Sequence, residues 1–238
     1  MKVKVISLTL DTTSIKGIEF DFFHAIDNHK VKSKFNFNSN VFKLIYGREP
    51  KNGEIGCTLS HFEIINEFAN DKISHDNYLV ILEDDAILES NFRKVIDLIE
   101  SRNSKEPEIF LLGLSKTKKE NNWVHKIKWP LSNKILIDNN LFGISDINHC
   151  GTVGYILNKS AASLISKQKN IFWLTDDWKI ISNMGVNVYT PQEPVVYEDL
   201  TTQSSIGNEV CCYNSLKNNF TKNIFQMFKG ILRRVNIL

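Results

Sequence analysis

The stretch Tyr78-Leu79-Val80-Ile81-Leu82, followed directly by Glu83-Asp84-Asp85, decides the fold. Five consecutive apolar residues are typical of a strand that helices cover on both faces. The run ends abruptly in three acidic residues, and open α/β sheets bind their ligands just beyond the carboxyl ends of the strands. The stretch therefore predicts a buried strand with a ligand site at its end.

Segments on either side of this strand alternate between strand and helix patterns. The pattern predicts strands at residues 3–10, 109–114 and 153–157, and helices at 59–68, 92–99, 161–166 and 179–184. Residues 21–26 are a second short apolar run, and a predicted loop follows it to Asn40. The alternation continues to about Pro191. It predicts an α/β fold with a central, mostly parallel sheet flanked by helices.

The composition of the 238-residue chain, 42% apolar and 24% charged, is that of a soluble globular protein. It excludes a disordered chain, a collagen-like chain and a disulfide scaffold. Cys57, Cys150, Cys211 and Cys212 form no CxxC pair, which favours a reducing, cytoplasmic environment.

The charge is distributed unevenly. The chain carries a net charge of +2, but residues 210–238 contain five basic residues and no acidic one. This asymmetry predicts a single domain over 1–207 and a basic amphipathic tail over 208–238, rather than a nucleic-acid-binding protein. The tail would lie on an anionic membrane surface or dock on the protein's own core. Its apolar residues recur every three or four positions: Phe220, Ile224, Phe225, Phe228, Ile231, Leu232 and Val235.

The acidic run Glu83-Asp84-Asp85 is the sharpest chemical signal. Neighbouring carboxylates repel each other, and a hard divalent cation with oxygen ligands relieves that repulsion and can hold a diphosphate. A solvated loop after a strand is the alternative.

A second acidic pair stands in Thr175-Asp176-Asp177-Trp178. Thr175 could cap a following helix and place both aspartates in its first turn. Trp173 and Trp178 flank the pair, either to hold a sugar ring beside the carboxylates or as core residues.

Cys57, Ser60 and His61 fall within one predicted helical turn. Cys57 and His61 are spaced as a nucleophile and its base, but no third orienting group is evident, so a structural or ligand-lining role is favoured. His149 and Cys150 could likewise be packed residues or ligands.

The order of these motifs resembles glycosyltransferase family 25, the bacterial lipooligosaccharide and lipopolysaccharide galactosyltransferases and related collagen-modifying enzymes. The resemblance spans residues 1–207. The segments that carry it are 53–61 (GEIGCTLSH), 81–88 (ILEDDAIL), 151–157 (GTVGYIL), 175–178 (TDDW) and 204–206 (SSI).

The resemblance implies a GT-A-like nucleotide-sugar-binding fold. It further implies inverting transfer of a hexose, most often galactose from UDP-galactose, to a lipooligosaccharide, lipopolysaccharide or other lipid-linked oligosaccharide acceptor. The cofactor would be a divalent metal, Mn²⁺. The protein would then be cytoplasmic, with its tail touching the cytoplasmic face of the inner membrane.

The resemblance also implies a role for each site residue. Asp85 would contact the metal together with Glu83, which would also lie near the ribose, and Asp84 could exchange places with either. The catalytic base would be Asp177, with Asp176 as the alternative. Donor contacts would come from Glu83, Asp84, Ser60, His61 and Glu54.

The chain departs from the family pattern near its start. Many relatives carry arginines after the first strand, whereas the first arginine here is Arg48. Fewer guanidinium groups could then contact the donor phosphates. The alternative function is a carbohydrate-binding or assembly protein that kept the fold but lost catalysis.

Overall fold

The computed structural model describes residues 1–10, 15–28 and 33–200, together with Met227, Gly230 and Ile231 of the tail. The described residues up to 200 form ten strands and six α-helices. The strands are β1 (Lys2–Ser7), β2 (Asp21–His24), β3 (Tyr78–Glu83), β4 (Ala86–Leu88), β5 (Glu108–Leu111), β6 (Leu131–Ile137), β7 (Asn140–Ser145), β8 (Gly154–Asn158), β9 (Asn187–Pro191) and β10 (Val196–Glu198). The helices are α1 (Ser39–Tyr46), α2 (Asn52–Asn70), α3 (Phe92–Ser101), α4 (Asn122–Lys128), α5 (Lys159–Ser166) and α6 (Trp178–Asn183).

Eight of these strands form one sheet in the order β2-β1-β3-β8-β5-β9-β7-β6, and β10 pairs with β4 in a small second sheet. The predicted α/β sheet flanked by helices is confirmed, but its direction is mixed rather than mostly parallel. β1 is parallel to β2 and β3, and β5 is parallel to β9. β8 runs antiparallel to both β3 and β5, and β7 runs antiparallel to β6 and β9.

The reason for the mixed direction lies in the position of β8. Glu83 N, at the end of β3, donates to Val153 O (3.1 Å), just before β8 begins. The chain thus enters β8 at the carboxyl end of β3 and must run back along it. An apolar run carries no signal for strand direction, so the sequence could not indicate this.

Both faces of β3 are buried, as its unbroken apolar run predicts. Leu79 and Ile81 belong to the core shared with α2 and α5. Val80 and Leu82 point to the other face, into the core shared with α3. The alternation holds the strand rigidly between two layers, and its acidic end emerges from the sheet at a fixed place.

Several elements were not predicted from the sequence. Helix α1 begins at Ser39, inside the predicted loop, because Asn38 Oδ1 accepts from Val41 N (3.1 Å) and caps it. The β6–β7 hairpin was also missed, since four positions of β6 are exposed and its pattern does not alternate cleanly.

Only three tail residues lie within the described part of the chain, so the predictions for 208–238 fall largely outside it. Gly230 is buried, and a Cβ there would come within 2.3 Å of Ile127 O near the end of α4. Glycine thus permits a close backbone approach at this point. In the described residues, no helix has both the length and the apolar content needed to cross a membrane.

Candidate functional site

Four segments that are distant in sequence meet at the carboxyl end of β3. They are the first half of α2, the turn from β3 to β4, the segment 150–155 leading into β8, and residues 173–178. Thr152 Oγ1 donates to Glu83 Oε1. Gly151 N donates to Asp176 Oδ2 (3.2 Å), and Thr175 Oγ1 donates to Thr58 Oγ1 (3.0 Å). The structure therefore assembles the sequence motifs into one site.

His61 is buried on α2 and faces β3. Its Nδ1 lies 2.8 Å from the hydroxyl of Tyr155 on β8, and its Nε2 lies 3.5 Å from Glu83 Oε1. The second distance is too long for a good hydrogen bond. Nε2 is accordingly buried with no hydrogen-bond partner among the described residues.

Cys57 lies one helical turn before His61 on the same face of α2. One ligand atom each from Cys57, His61 and Glu83 can be chosen so that all lie within 4.8 Å of one another, a grouping that could hold a metal ion. Burial raises the pKa of the Cys57 thiol, and the carboxylate of Glu83 acts in the same direction. A thiol held in its protonated form is a poor nucleophile, which argues against a Cys–His catalytic pair.

Asp85 lies in the turn after β3, close to other carboxylates. Its Oδ1 is buried and has no hydrogen-bond partner within the described part of the chain. Burial raises the pKa of Asp85 to about 8, with further contributions from the carboxylates of Glu83, Glu198 and Asp84. Four carboxylates thus act on one small region, and a cation would relieve the resulting repulsion.

Glu198, at the end of β10, was missed by the sequence analysis. β10 pairs with β4 immediately after the acidic turn, and Asp199 N donates to Asp85 O (2.9 Å). Ser115 Oγ (3.2 Å) and Lys116 N (2.7 Å) both donate to Glu198 Oε2. No local signal marks Glu198, because more than a hundred residues separate it from Asp85.

Asp176 and Asp177 have different surroundings. Asp177 accepts hydrogen bonds on both oxygens, from Tyr46 OH to Oδ2 (2.7 Å) and from Asn148 Nδ2 to Oδ1 (2.8 Å). Asp176 accepts from Gly151 N. Burial raises the pKa of Asp176, and the nearby carboxylates of Glu83 and Asp177 act in the same direction.

The predicted capping role of Thr175 is wrong. Helix α6 begins at Trp178 with Asp177 at its N-cap, so both aspartates precede the helix rather than forming its first turn. The Thr175 hydroxyl instead bonds to α2, through Thr58 Oγ1 and Cys57 Sγ (3.5 Å). The side chain of Thr175 therefore contacts residues of α2 that are distant in sequence and does not cap α6.

The two tryptophans belong to the core and cannot stack on a sugar here. Trp173 is 4% exposed and Trp178 is 6% exposed. Trp178 Nε1 donates to Gly151 O (3.1 Å), which fixes the segment that contacts Asp176.

The remaining predicted residues take supporting positions. Ser60 is fully buried: its Oγ donates to Gly56 O (2.7 Å) and accepts from Ile26 N (2.8 Å). Glu54 accepts two hydrogen bonds from Arg48, at 2.8 and 2.6 Å. Burial opposes ionisation of Glu54, but Arg48 and Lys51 N lower its pKa overall. Asp84 is half-buried in the turn after β3.

A polar groove of about 290 Å³ opens beside Asp177, on the far side of Asn148. Asn148 Oδ1 accepts from Lys179 N (3.2 Å), which joins the groove wall to α6. His149 also lines the groove but is itself buried, and its Nε2 lies 2.8 Å from Ser145 Oγ. Burial lowers the pKa of His149 to about 3, with a contribution from His125, as expected of a packed histidine.

The fold and the site together define an α/β protein with a partly buried acidic site at the carboxyl end of a central strand. The chain belongs to glycosyltransferase family 25, described as an LPS biosynthesis protein family, because the sequence model of that family matches residues 2–178. The family resemblance inferred from the motifs is thereby confirmed.

Two curated proteins are similar to parts of the chain. The lipooligosaccharide biosynthesis protein lex-1 of Haemophilus influenzae is 31% identical over 138 residues, which cover 56% of this chain and 43% of lex-1. The procollagen lysyl hydroxylase and glycosyltransferase of Acanthamoeba polyphaga mimivirus is 34% identical over 86 residues, covering 32% of this chain and 10% of that protein. The chain thus matches less than half the length of either relative.

Among solved structures, a crystal structure of a protein from STIV is similar at 12% identity with a TM-score of 0.37. The match covers 90% of this chain and 99% of that one. A TM-score of this size is too low to establish a shared fold.

Proposed function

We propose that the protein is a metal-dependent, inverting glycosyltransferase of the GT-A type. It would transfer a hexose, galactose, from a UDP-sugar to a lipooligosaccharide, lipopolysaccharide or related surface-glycan acceptor. Membership of family 25 and the similarity to lex-1 support a glycosyltransferase that acts on such a glycan. The observation that carries the proposal is the buried, unpartnered Oδ1 of Asp85 among neighbouring carboxylates.

The residues at the end of β3 suit a hard divalent cation. Asp85 and Glu83 offer carboxylate oxygens, which are the ligands that Mn²⁺ and Mg²⁺ prefer. Burial of Asp85 close to Glu83, Asp84 and Glu198 makes the site costly without a positive charge. When bound there, the cation would neutralise negative charge that develops on the UDP leaving group.

Inversion in a single displacement needs a base that removes the proton of the acceptor hydroxyl. The sequence placed Asp177 first and Asp176 second, but their surroundings favour the reverse order. Both oxygens of Asp177 already accept hydrogen bonds, which suits a residue that positions the segment. Burial raises the pKa of Asp176, so this carboxylate holds a proton more strongly and is the better base.

The polar groove beside Asn148 is the proposed acceptor site. Its lining includes Ser145, Asp146, Asn148 and Lys179, which offer hydrogen-bond donors and acceptors for sugar hydroxyls. Asn148 links this groove to Asp177 directly. A polar groove next to the acidic pair suits a hydroxyl-rich acceptor better than an apolar one.

A transfer assay tests the proposal. The purified full chain is incubated with Mn²⁺, UDP-galactose and truncated lipooligosaccharide, and the acceptor is analysed by mass spectrometry and NMR. We expect the acceptor to gain one hexose whose anomeric configuration is opposite to that of the donor. A retained configuration, or no product from any UDP-sugar and glycan acceptor tried, would contradict the proposal.

The tail is proposed to bring the enzyme to the cytoplasmic face of the inner membrane, where a lipid-linked acceptor would lie. Its five basic residues would attract anionic lipids. Gly230 contacts the end of α4, so the tail touches the protein at that residue. Deleting residues 218–238 should move the protein from the membrane fraction to the soluble fraction. An unchanged distribution would refute a membrane role for the tail.

A further inference from the structure

We propose that Cys57, His61 and Glu83 form a binding site for a thiophilic divalent cation of the zinc class. The three residues offer a cysteine sulfur, which becomes a thiolate when the cation displaces the thiol proton, an imidazole nitrogen and a carboxylate oxygen. Zinc accepts this donor set, whereas Mn²⁺ and Mg²⁺ disfavour it. The site is therefore distinct in chemistry from the oxygen-only site proposed at Asp85. Binding of the cation does not depend on the proposed transferase function.

The geometry requires only a small adjustment. His61 Nε2 and Glu83 Oε1 are 3.5 Å apart, and all three ligand atoms lie within 4.8 Å of one another. Zn–N, Zn–O and Zn–S bond lengths in a tetrahedral site place neighbouring ligand atoms roughly 3.3–3.6 Å apart. The pair His61 Nε2–Glu83 Oε1 already has this separation, and the two pairs that involve Cys57 are at most 4.8 Å apart.

An independent observation points to a missing ligand at this place. His61 is 2% exposed, and its Nε2 has no hydrogen-bond partner in the described part of the chain. A buried polar atom without a partner is costly and uncommon in folded proteins. Nε2 is the atom that faces Glu83, so a cation between them would satisfy it.

Each of the three ligands is also held by a neighbouring hydroxyl. The Tyr155 hydroxyl lies 2.8 Å from His61 Nδ1 and can accept its proton, which leaves the lone pair on Nε2 for a metal. The Thr152 hydroxyl donates to Glu83 Oε1, and the Thr175 hydroxyl, whose proton goes to Thr58 Oγ1, lies 3.5 Å from Cys57 Sγ. Metal sites commonly orient their ligands through such outer contacts.

The local structure explains why the residues converge. Cys57 and His61 are four residues apart on α2, so their side chains lie on the same face of the helix. His61 on that face lies against the end of β3, with its Nε2 3.5 Å from Glu83 Oε1. The helical spacing thus fixes Cys57 relative to His61, and the end of β3 fixes the position of Glu83.

Glu83 belongs to both proposed cation sites. A zinc-class ion bound to Cys57 and His61 would draw this carboxylate away from Asp85 and weaken Mn²⁺ binding there, a consequence that rests on the proposed function. The thiophilic site would then make the enzyme sensitive to zinc.

Cobalt is the probe for this site, because a thiolate bound to Co²⁺ produces a sulfur-to-metal charge-transfer band in the near ultraviolet. The protein used is the untagged full chain with Cys211 and Cys212 replaced by serine, since the adjacent tail cysteines could bind thiophilic metals themselves. We expect one Co²⁺ per chain, the charge-transfer band, and displacement by Zn²⁺. Cys57→Ala should abolish the band and weaken zinc binding at least ~100-fold, while the matched control Cys150→Ala keeps both.

A third variant separates metal binding from folding. Thr152→Val keeps all three ligands but removes the hydroxyl that orients Glu83, and should weaken zinc binding roughly 10–100-fold with an unchanged circular dichroism spectrum. Absence of the band in the starting protein, or a band that survives Cys57→Ala, would overturn the proposal. Mn²⁺-dependent UDP binding, measured separately, reports on the transferase function, so the two proposals can fail independently.

Discussion

Buried acidic groups lie close to both ends of β3, Glu108 of β5 near its start and Asp85 after its end, and they differ in how far their charge is compensated. Near its start, Glu108 is 2% exposed and fully engaged: Tyr78 OH donates to Oε1 (2.9 Å) and Arg102 lies 3.5 Å from Oε2. Glu108 N also donates to Asn158 Oδ1 (3.2 Å), and Tyr78 OH accepts from Ser104 N (3.1 Å). This end is a closed network that needs no further partner.

At the other end, Asp85 Oδ1 is buried with no hydrogen-bond partner among residues the structure describes. Its neighbours Glu83, Asp84 and Glu198 add like charge instead of compensating it. The number of hydrogen-bond donors around a buried carboxylate therefore distinguishes a structural acid from one in a ligand site. A carboxylate with donors on both oxygens stabilises the fold, whereas one left unpaired among other carboxylates marks a place where a ligand contributes the missing charge.

The largest expected effect is the loss of activity in Asp85→Asn, which tests whether the unpaired acid after β3 has a functional role. We expect transfer to fall by roughly 10³-fold, because charge on the leaving group would no longer be neutralised. The free energy of unfolding should not decrease, since a repelled charge has been removed. Activity and urea unfolding are measured together, with Asp97→Asn on α3 as an exposed control. A folded variant that keeps its activity would refute the role of Asp85.

A second test compares the acidic pair. Asp176→Asn should lower kcat by roughly 10²-fold or more while Mn²⁺-dependent UDP binding persists, as expected for loss of a base. Asp177→Asn should lower kcat less, because the amide can still contact Tyr46 and Asn148. Steady-state kinetics and calorimetry of both variants provide the measurement. The reverse ranking would restore Asp177 as the base.

At the closed end, Glu108→Ala should destabilise the protein without changing its chemistry. The substitution leaves the Tyr78 hydroxyl without its acceptor and removes the partner of Arg102, at a cost of about 3 kcal/mol in the free energy of unfolding. Urea denaturation measures the loss, and kcat of the remaining folded enzyme should be unchanged. A variant with native stability would mean that this network contributes little.

The last test is the dependence of stability on pH when metal is absent. The folded pKa of Asp85 is about 8, above its ordinary value of about 4, so the folded state binds this proton more tightly than the unfolded chain does. The free energy of unfolding should therefore fall as pH rises from about 4 to about 8. Denaturation in chelator over this range should show the slope. In Asp85→Asn the slope should be smaller, and an equal slope would assign it to other groups.

Much of the central frame could be predicted from the sequence because its signals are local. The apolar run 78–82 and the acids that follow it give both the buried strand and the position of the site. Helix α2 was also recognisable from its apolar spacing, although it extends from Asn52 to Asn70, well beyond the predicted stripe. Each of these features is encoded by residues that lie within a single strand or helix and the positions next to it.

The parts that the sequence could not provide depend on contacts between distant segments. Glu198 approaches Asp85 only because β10 pairs with β4. Thr175 has the composition of a cap, yet it bonds to α2 instead of capping α6. Trp178 stands beside two carboxylates in sequence, but tertiary packing turns its ring into the core. Strand direction also depends on where the chain enters each strand.

We propose above that the acidic end of β3 holds a nucleotide diphosphate through a divalent cation. Calorimetric titration of UDP and UDP-galactose into the full chain, with Mn²⁺ and again with chelator, tests it most directly when Asp85→Asn is measured alongside. We expect binding that requires Mn²⁺ and disappears in the variant. UDP binding that persists in chelator and in Asp85→Asn, or no binding under any of these conditions, would contradict it.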